Sequence, residues 1–142
     1  MADDPQSVIP IESDADVVTA RQRARQMAGE LELTSTDQTL LATAISEVAR
    51  NITTYAGHGE VLLSVVRDDH GRSGIQVIAR DDGPGIEDVE LALQDGYTSG
   101  GGLGLGLPGA RRLVDDFSIE TEPGKGTTVT LLMWARANSR AA

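Results

Sequence analysis

Asp81-Asp82-Gly83-Pro84-Gly85-Ile86 and, further on, Gly101-Gly102-Leu103-Gly104-Leu105-Gly106-Leu107-Pro108-Gly109 decide how this sequence folds. Glycine at this density costs backbone entropy, so a folded domain keeps it where positive φ or close backbone approach is needed. Each run adjoins a regular element, and the second opens into a helix. Such a junction exposes main-chain N–H groups to a phosphate. The two runs therefore predict a domain built around a nucleotide.

Working outward, the sequence predicts a strand at 6–11 and a helix begun by Ser13, with Asp16 placed as in a capping box. Val17, Ala20, Ala24, Met27, Ala28 and Leu31 form its apolar stripe. Thr34-Ser35-Thr36 supplies the next N-cap, for a helix over 37–55 that Gly57-His58-Gly59 ends. Alternating strands follow at 60–67 and 74–80 across the polar turn 68–73. Val61, Leu63 and Val65 share one face, as do Ile75, Val77 and Ala79. A short helix is predicted at 87–94, and the segment 87–101 reads as a lid with glycine hinges. Pro108 suits the first turn of a helix over 107–117, whose apolar face is Ala110, Leu113, Val114 and Phe117. A hairpin turning at Pro123-Gly124-Lys125-Gly126 closes the chain, with strands at 117–122 and 127–134. Val129, Leu131 and Met133 face one way in its last strand. Alternation this regular marks sheets covered on one face. The expected fold is α/β (α+β), a two-layer sandwich of a mixed, largely antiparallel sheet with helices on one face.

The 142 residues form a single expected domain, 1–142, with a core over about 6–134 and a frayed tail at 135–142. Aromatics are only 3% of the chain, so the core is aliphatic, and the absence of cysteine excludes disulfides and thiolate metal sites. A net charge of −10 repels polyanions, which argues against nucleic acid and anionic membranes as partners. It does not oppose a nucleotide held by backbone N–H groups and a divalent cation. With no signal-like or bilayer-length apolar run, the default expectation is a soluble cytoplasmic protein.

In the second helix, about 100° per residue puts the apolar positions between Leu40 and Ala49 on an arc of about 180°. Glu47 and Asn51 fall near its Leu40 margin, one turn apart, while Thr43, Ser46 and Arg50 project from the opposite face. An amide and a carboxylate at that margin want partners. Either they bond to a neighbouring loop, or they line a cavity with Asn51 on a cation and Glu47 accepting a proton. Arg50, pointing away, is expected to make a salt bridge or a partner contact rather than hold phosphate. His58 and His70 lie in turns and read as solvated, Lys125 as a turn residue, and Tyr55 as either pocket rim or packing.

Two familiar loops are excluded. Gly104-x-Gly106-x-x-Gly109 matches a dinucleotide fingerprint but follows a loop, and no acidic residue occurs after Glu122. Gly124-Lys125-Gly126-Thr127 lacks the earlier glycine of a Walker A loop.

The order of the pieces is more specific. Glu47-Val48-Ala49-Arg50-Asn51, then Asp81-x-Gly83-x-Gly85, Gly102-x-Gly104-x-Gly106 and Gly124-x-Gly126-Thr127 resembles the motif series of the GHKL superfamily, with its Bergerat ATP-binding fold. The resemblance covers 37–133 and leaves no stretch for a transducer or a histidine-bearing domain. Within the superfamily, Ala44-Ile-Ser-Glu-Val-Ala-Arg-Asn51 and Gly102-Leu-Gly-Leu-Gly-Leu-Pro-Gly-Ala-Arg-Arg-Leu113 resemble the RsbT-type serine-protein kinases of stressosome signalling.

The resemblance implies ATP and Mg²⁺ as cofactors, with Asn51 as the metal ligand and Glu47 as the catalytic base. It implies ATP binding by Asp81 on the adenine amino group and by Gly83, Gly85 and Ile86 beside it. Gly102, Leu103, Gly104, Leu105 and Gly106 would pass under the phosphates. Thr127 would hold adenine together with Asp81, or is a plain strand threonine. The implied activity is ATP-dependent phosphorylation of a STAS-domain antagonist or scaffold protein, followed by activation of a PP2C-type phosphatase. The alternative is an anti-sigma-factor kinase that binds and inhibits an alternative sigma factor. A stand-alone motor ATPase lacks a coupled domain.

Overall fold

A computed structural model describes residues 7–86, 93 and 106–136. The predicted helix and lid at 87–101, residues 102–105 of the glycine run, and 137–142 of the tail lie outside the described residues. Among the described residues the order is β1 (Ser7–Ile11), α1 (Asp14–Glu30), α2 (Ser35–Tyr55), β2 (Gly59–Arg67), β3 (Ser73–Asp81), α3 (Gly106–Leu113), β4 (Asp116–Glu122) and β5 (Gly126–Trp134). The strands form one sheet in the order β1-β2-β3-β5-β4. All four of these pairings are antiparallel, which narrows the expected mixed sheet.

Register puts the apolar residues in cross-strand rows. Ile9, Val61, Ala79, Val129 and Ile119 make one, and Leu63, Val77, Leu131 and Phe117 the next. The helices close over this face: α2 packs on the sheet and touches both α1 and α3. Ile11, Leu41, Ile45, Ile52, Leu63, Ile75, Leu131 and Met133 are the largest fully buried side chains. This is the aliphatic two-layer sandwich that the alternation predicts.

Local chemistry sets the ends. The Thr34 hydroxyl accepts from Asp37 N at 3.0 Å, so the predicted N-cap forms, and the helix starts at Ser35, two residues ahead of the predicted start. At α1 the capping box is not made. Ser13 is the N-cap, but its side chain caps no amide, and the Asp16 carboxylate accepts instead from Glu12 N at 2.8 Å. The same helix ends in a Schellman arrangement, Leu33 N donating to Ala28 O and Glu32 N to Gly29 O, with Glu32 at φ 62° where glycine is usual.

Three expectations need correction. Helix α3 stops at Leu113, so Val114 and Phe117 pack on the core from outside it, Phe117 in β4. Asp115 ends the helix by pairing with the sheet: its N–H donates to Leu132 O, and its carboxylate accepts from Trp134 N at 2.8 Å. Ser46 is buried, its hydroxyl donating to Ala42 O at 3.0 Å, because α2 is covered by helices as well as by the sheet. The tail does not fray at its first two residues. Ala135 N donates to Ser73 O at 2.8 Å, and Arg136 bridges Asp37 at 2.9 Å and Asp115 at 3.0 Å.

Candidate functional site

The apolar face ends in a polar row. One step beyond Val61, Ala79 and Val129, the register aligns Gly59, Asp81, Thr127 and Thr121. Asp81 and Thr127 are thus direct cross-strand partners on the helix-covered side, as a shared role on one ligand requires. Asp81 Oδ1 accepts from Gly83 N at 2.8 Å, forming a tight turn after β3. No other described residue bonds this carboxylate, so Oδ2 keeps its full accepting capacity.

Thr121 is the residue that the sequence reading missed. Its hydroxyl accepts from Ile86 N at 2.9 Å, donates to Gly126 O at 3.0 Å, and meets Thr127 Oγ1 at 3.0 Å. A hydroxyl has one proton. With that proton on Gly126 O, Thr127 is the donor to Thr121, and the Thr127 oxygen is left with acceptor capacity only. The turn predicted at 123–126 would have paired Thr121 with Thr128; the strands instead close one residue tighter, Glu122 facing Gly126, which brings Thr121 opposite Thr127.

The glycines here serve the protein's own packing. A Cβ on Gly83 would stand 2.6 Å from the Ala56 Cβ at the end of α2. One on Gly85, at φ 78°, would overlap the Glu122 carbonyl. These contacts seat the turn of 81–86 between α2 and the β4–β5 hairpin.

A cavity of about 720 Å³ opens at this end of the sheet. It wraps around the sheet end, its lining drawn both from the helix-covered row of Asp81, Thr121 and Thr127 and from the adjacent open-face row of Glu60, Arg80, Glu120 and Thr128. Exposed His58 stands at its edge, and Lys125 is a turn residue paired with Glu122 at 3.4 Å. With Asp82 and Glu122 added, the carboxylates around the cavity outnumber its cations. Such a field repels phosphate and suits the uncharged end of a ligand.

Glu47 and Asn51 do not line that cavity. They stand one turn apart on α2, both half-buried. Glu47 Oε1 accepts from Gly106 N, the first residue of α3, at 2.8 Å. Glu47 Oε2 meets Arg50 Nη1 at 3.3 Å. The expected salt bridge of Arg50 therefore exists, but with Glu47 itself, so Arg50 does not point away from the site. Gly106 takes φ 68° to start the helix. Among the described residues the Asn51 carboxamide has no hydrogen-bond partner, so its oxygen is free to ligate. No group of three or more His, Asp or Glu among them could hold a metal. Mg²⁺ needs no such cage, since it takes one or two side chains plus phosphate and water. Asn51 fits that demand, and Tyr55, on the last turn of α2, is exposed rather than packed in the core.

Residues 36–137 match the family model of the Histidine kinase-, DNA gyrase B-, and HSP90-like ATPases. The chain belongs to this family. It is 45% identical to the serine/threonine-protein kinase RsbT of Bacillus subtilis over 92% of this chain and 98% of that one. It is 32% identical to an anti-sigma F factor of Bacillus licheniformis over 79% and 80% of the two chains. The chain is closely related to RsbT-type serine/threonine kinases, which supports kinase activity. Family membership implies binding of ATP with Mg²⁺ in general. Among solved structures, the RsbU and RsbW domains of Rv1364c from Mycobacterium tuberculosis share the fold at TM-score 0.62 and 21% identity, over 94% of this chain and 33% of that one. The mycobacterial sensor histidine kinase MprB does so at TM-score 0.57 and 17% identity, over 93% and 99%. Among the described residues no helix is long and apolar enough to cross a membrane.

Proposed function

We propose that this protein is the ATP-dependent serine/threonine kinase of a partner-switching module. It phosphorylates a STAS-domain protein and, once released, activates a PP2C-type phosphatase. The observation that carries the reading is the 2.8 Å hydrogen bond from Gly106 N to Glu47. It joins the Glu47 carboxylate to Gly106, the first amide of α3, which supports reading Glu47 as the proton acceptor.

Bound Mg·ATP would supply the phosphoryl group and neutralise charge on it. The chain's own residues do the rest. Asp81 Oδ2 and the Thr127 oxygen, adjacent on the sheet, accept from the ligand's base. Ile86, tied through its N–H to Thr121, fixes the loop beside them. Gly83 and Gly85 shape that loop, Asn51 holds the cation, and the family resemblance assigns the glycine run Gly102, Leu103, Gly104 and Leu105 to phosphate, with Gly106 tying the run to Glu47. Glu47 accepts the proton of the incoming hydroxyl, a role worth typically 10²–10⁴-fold.

The similarity to anti-sigma F factors supports a second reading, in which the kinase also binds and inhibits a sigma factor. Both are tested by incubating the protein with radiolabelled Mg·ATP and candidate STAS-domain proteins and sigma factors. Phosphate appearing on serine or threonine of a STAS protein, with release of the complex, is expected. Tight capture of a sigma factor favours the second reading, and absence of transfer to any STAS protein refutes the first.

A further inference from the structure

We infer that Arg50 is a positioning residue for Glu47, an inference that rests on the reading of Glu47 as the base. The carboxylate is held from two directions: Oε1 by Gly106 N at 2.8 Å and Oε2 by Arg50 Nη1 at 3.3 Å. The terminal torsion of a glutamate is broad and roughly two-fold. One donor leaves the carboxylate plane free to swing, whereas two donors on different oxygens, from separate helices, define it. Each oxygen still keeps one lone pair for an incoming hydroxyl.

Other roles for Arg50 fit less well. The Arg50 side chain is 49% exposed and pairs within one helix, an arrangement that contributes little to stability. Glu47, by contrast, is 10% exposed, so it is the partner that the pair immobilises. Along the helix Arg50 projects about 60° from Glu47 but about 100° from Asn51, the residue proposed to hold the cation. It therefore attends the base and not the phosphates.

The test uses the full chain and two readouts. In Arg50→Ala, hydrogen exchange at the Gly106 amide is expected to quicken several-fold, with Arg50→Lys restoring most of the protection and the thermal midpoint unchanged. With a STAS-domain acceptor, kcat is expected to fall about tenfold while KM for Mg·ATP stays within about twofold. Arg50→Lys recovers most of that rate, and adding Arg50→Ala to Glu47→Gln slows the enzyme no further. Unchanged Gly106 exchange, or a rise in KM with kcat intact, overturns the proposal. If Gly106 exchange responds but the wild-type chain phosphorylates no STAS protein, the positioning of the carboxylate stands and the kinase reading fails.

Discussion

Asp81→Asn separates the ligand role of this residue from its structural one. Asp81 Oδ1 is committed to Gly83 N at 2.8 Å, and an asparagine carbonyl can take over that bond without moving the turn. The second oxygen, with no bond to any other described residue, becomes an NH₂ group. An acceptor thus turns into a donor, at the same volume, facing the amino group assigned to it. The loss is a charge-assisted hydrogen bond with a donor–donor contact in its place, about 2–3 kcal/mol, or roughly 30- to 160-fold in affinity for Mg·ATP. Calorimetric titration reads the affinity, and thermal unfolding reads the fold. The expected result is weakened binding with a midpoint within about 2 °C of the wild type. Binding at wild-type strength by the well-folded variant would refute the assignment of Asp81 to the base.

The remaining predictions concern stability. Arg136→Ala strips the cation from Asp37, whose side chain is 9% exposed, and from Asp115. Because Arg136 is itself half-exposed and Asp37 sits in the first turn of α2, where the helix dipole favours it, the cost is about 1–2 kcal/mol. Scanning calorimetry should show a midpoint lower by roughly 3–6 °C, and no shift would mean that the clamp carries no weight. In the β2–β3 turn, the Arg72 N–H above all, with the His70 N–H and the Arg72 guanidinium, holds the Asp68 carboxyl below its ordinary value. A depressed carboxyl contributes stability above its unfolded pKa and loses it as pH falls through the folded one. Asp68→Asn should therefore flatten the fall in stability below about pH 4, measured by denaturant unfolding at stepped pH. An unaltered acid limb would contradict this.

Much of the fold was legible because single-sided burial writes itself as alternation. Val129, Leu131 and Met133, like Ile75, Val77 and Ala79, are buried as their spacing predicts. The Thr34 cap is a local signal and was read correctly. What stayed hidden depended on partners distant in sequence. Ser46 looks solvent-facing on a helical wheel, which represents one burying surface, whereas α2 meets the sheet and two helices. Phe117 continues the helical spacing, yet Asp115 pairs with β5 and turns the chain into β4. Arg136 sits in a stretch of small residues, and its pairings with Asp37, across most of the chain, and with Asp115 anchor it.

The candidate site divides in the same way. The motif order located Asp81, Thr127, Glu47 and Gly106, and the structure pairs the first two by register and the last two by a hydrogen bond. Thr121 carries no motif and emerges only from the register of β4 on β5. A helical wheel follows Cβ directions and so directs Arg50 away from the site. A long guanidinium side chain bridges the remaining 60° to Glu47.

The most direct measurement is single-turnover phosphate transfer by Glu47→Gln at saturating Mg·ATP. Glutamine keeps an oxygen for Gly106 N but cannot serve as a base at neutral pH, so the nucleotide should bind with wild-type affinity. Transfer is expected to slow 10²–10⁴-fold under those conditions. Transfer at the wild-type rate by a variant that binds Mg·ATP normally would contradict the reading of Glu47 as the base.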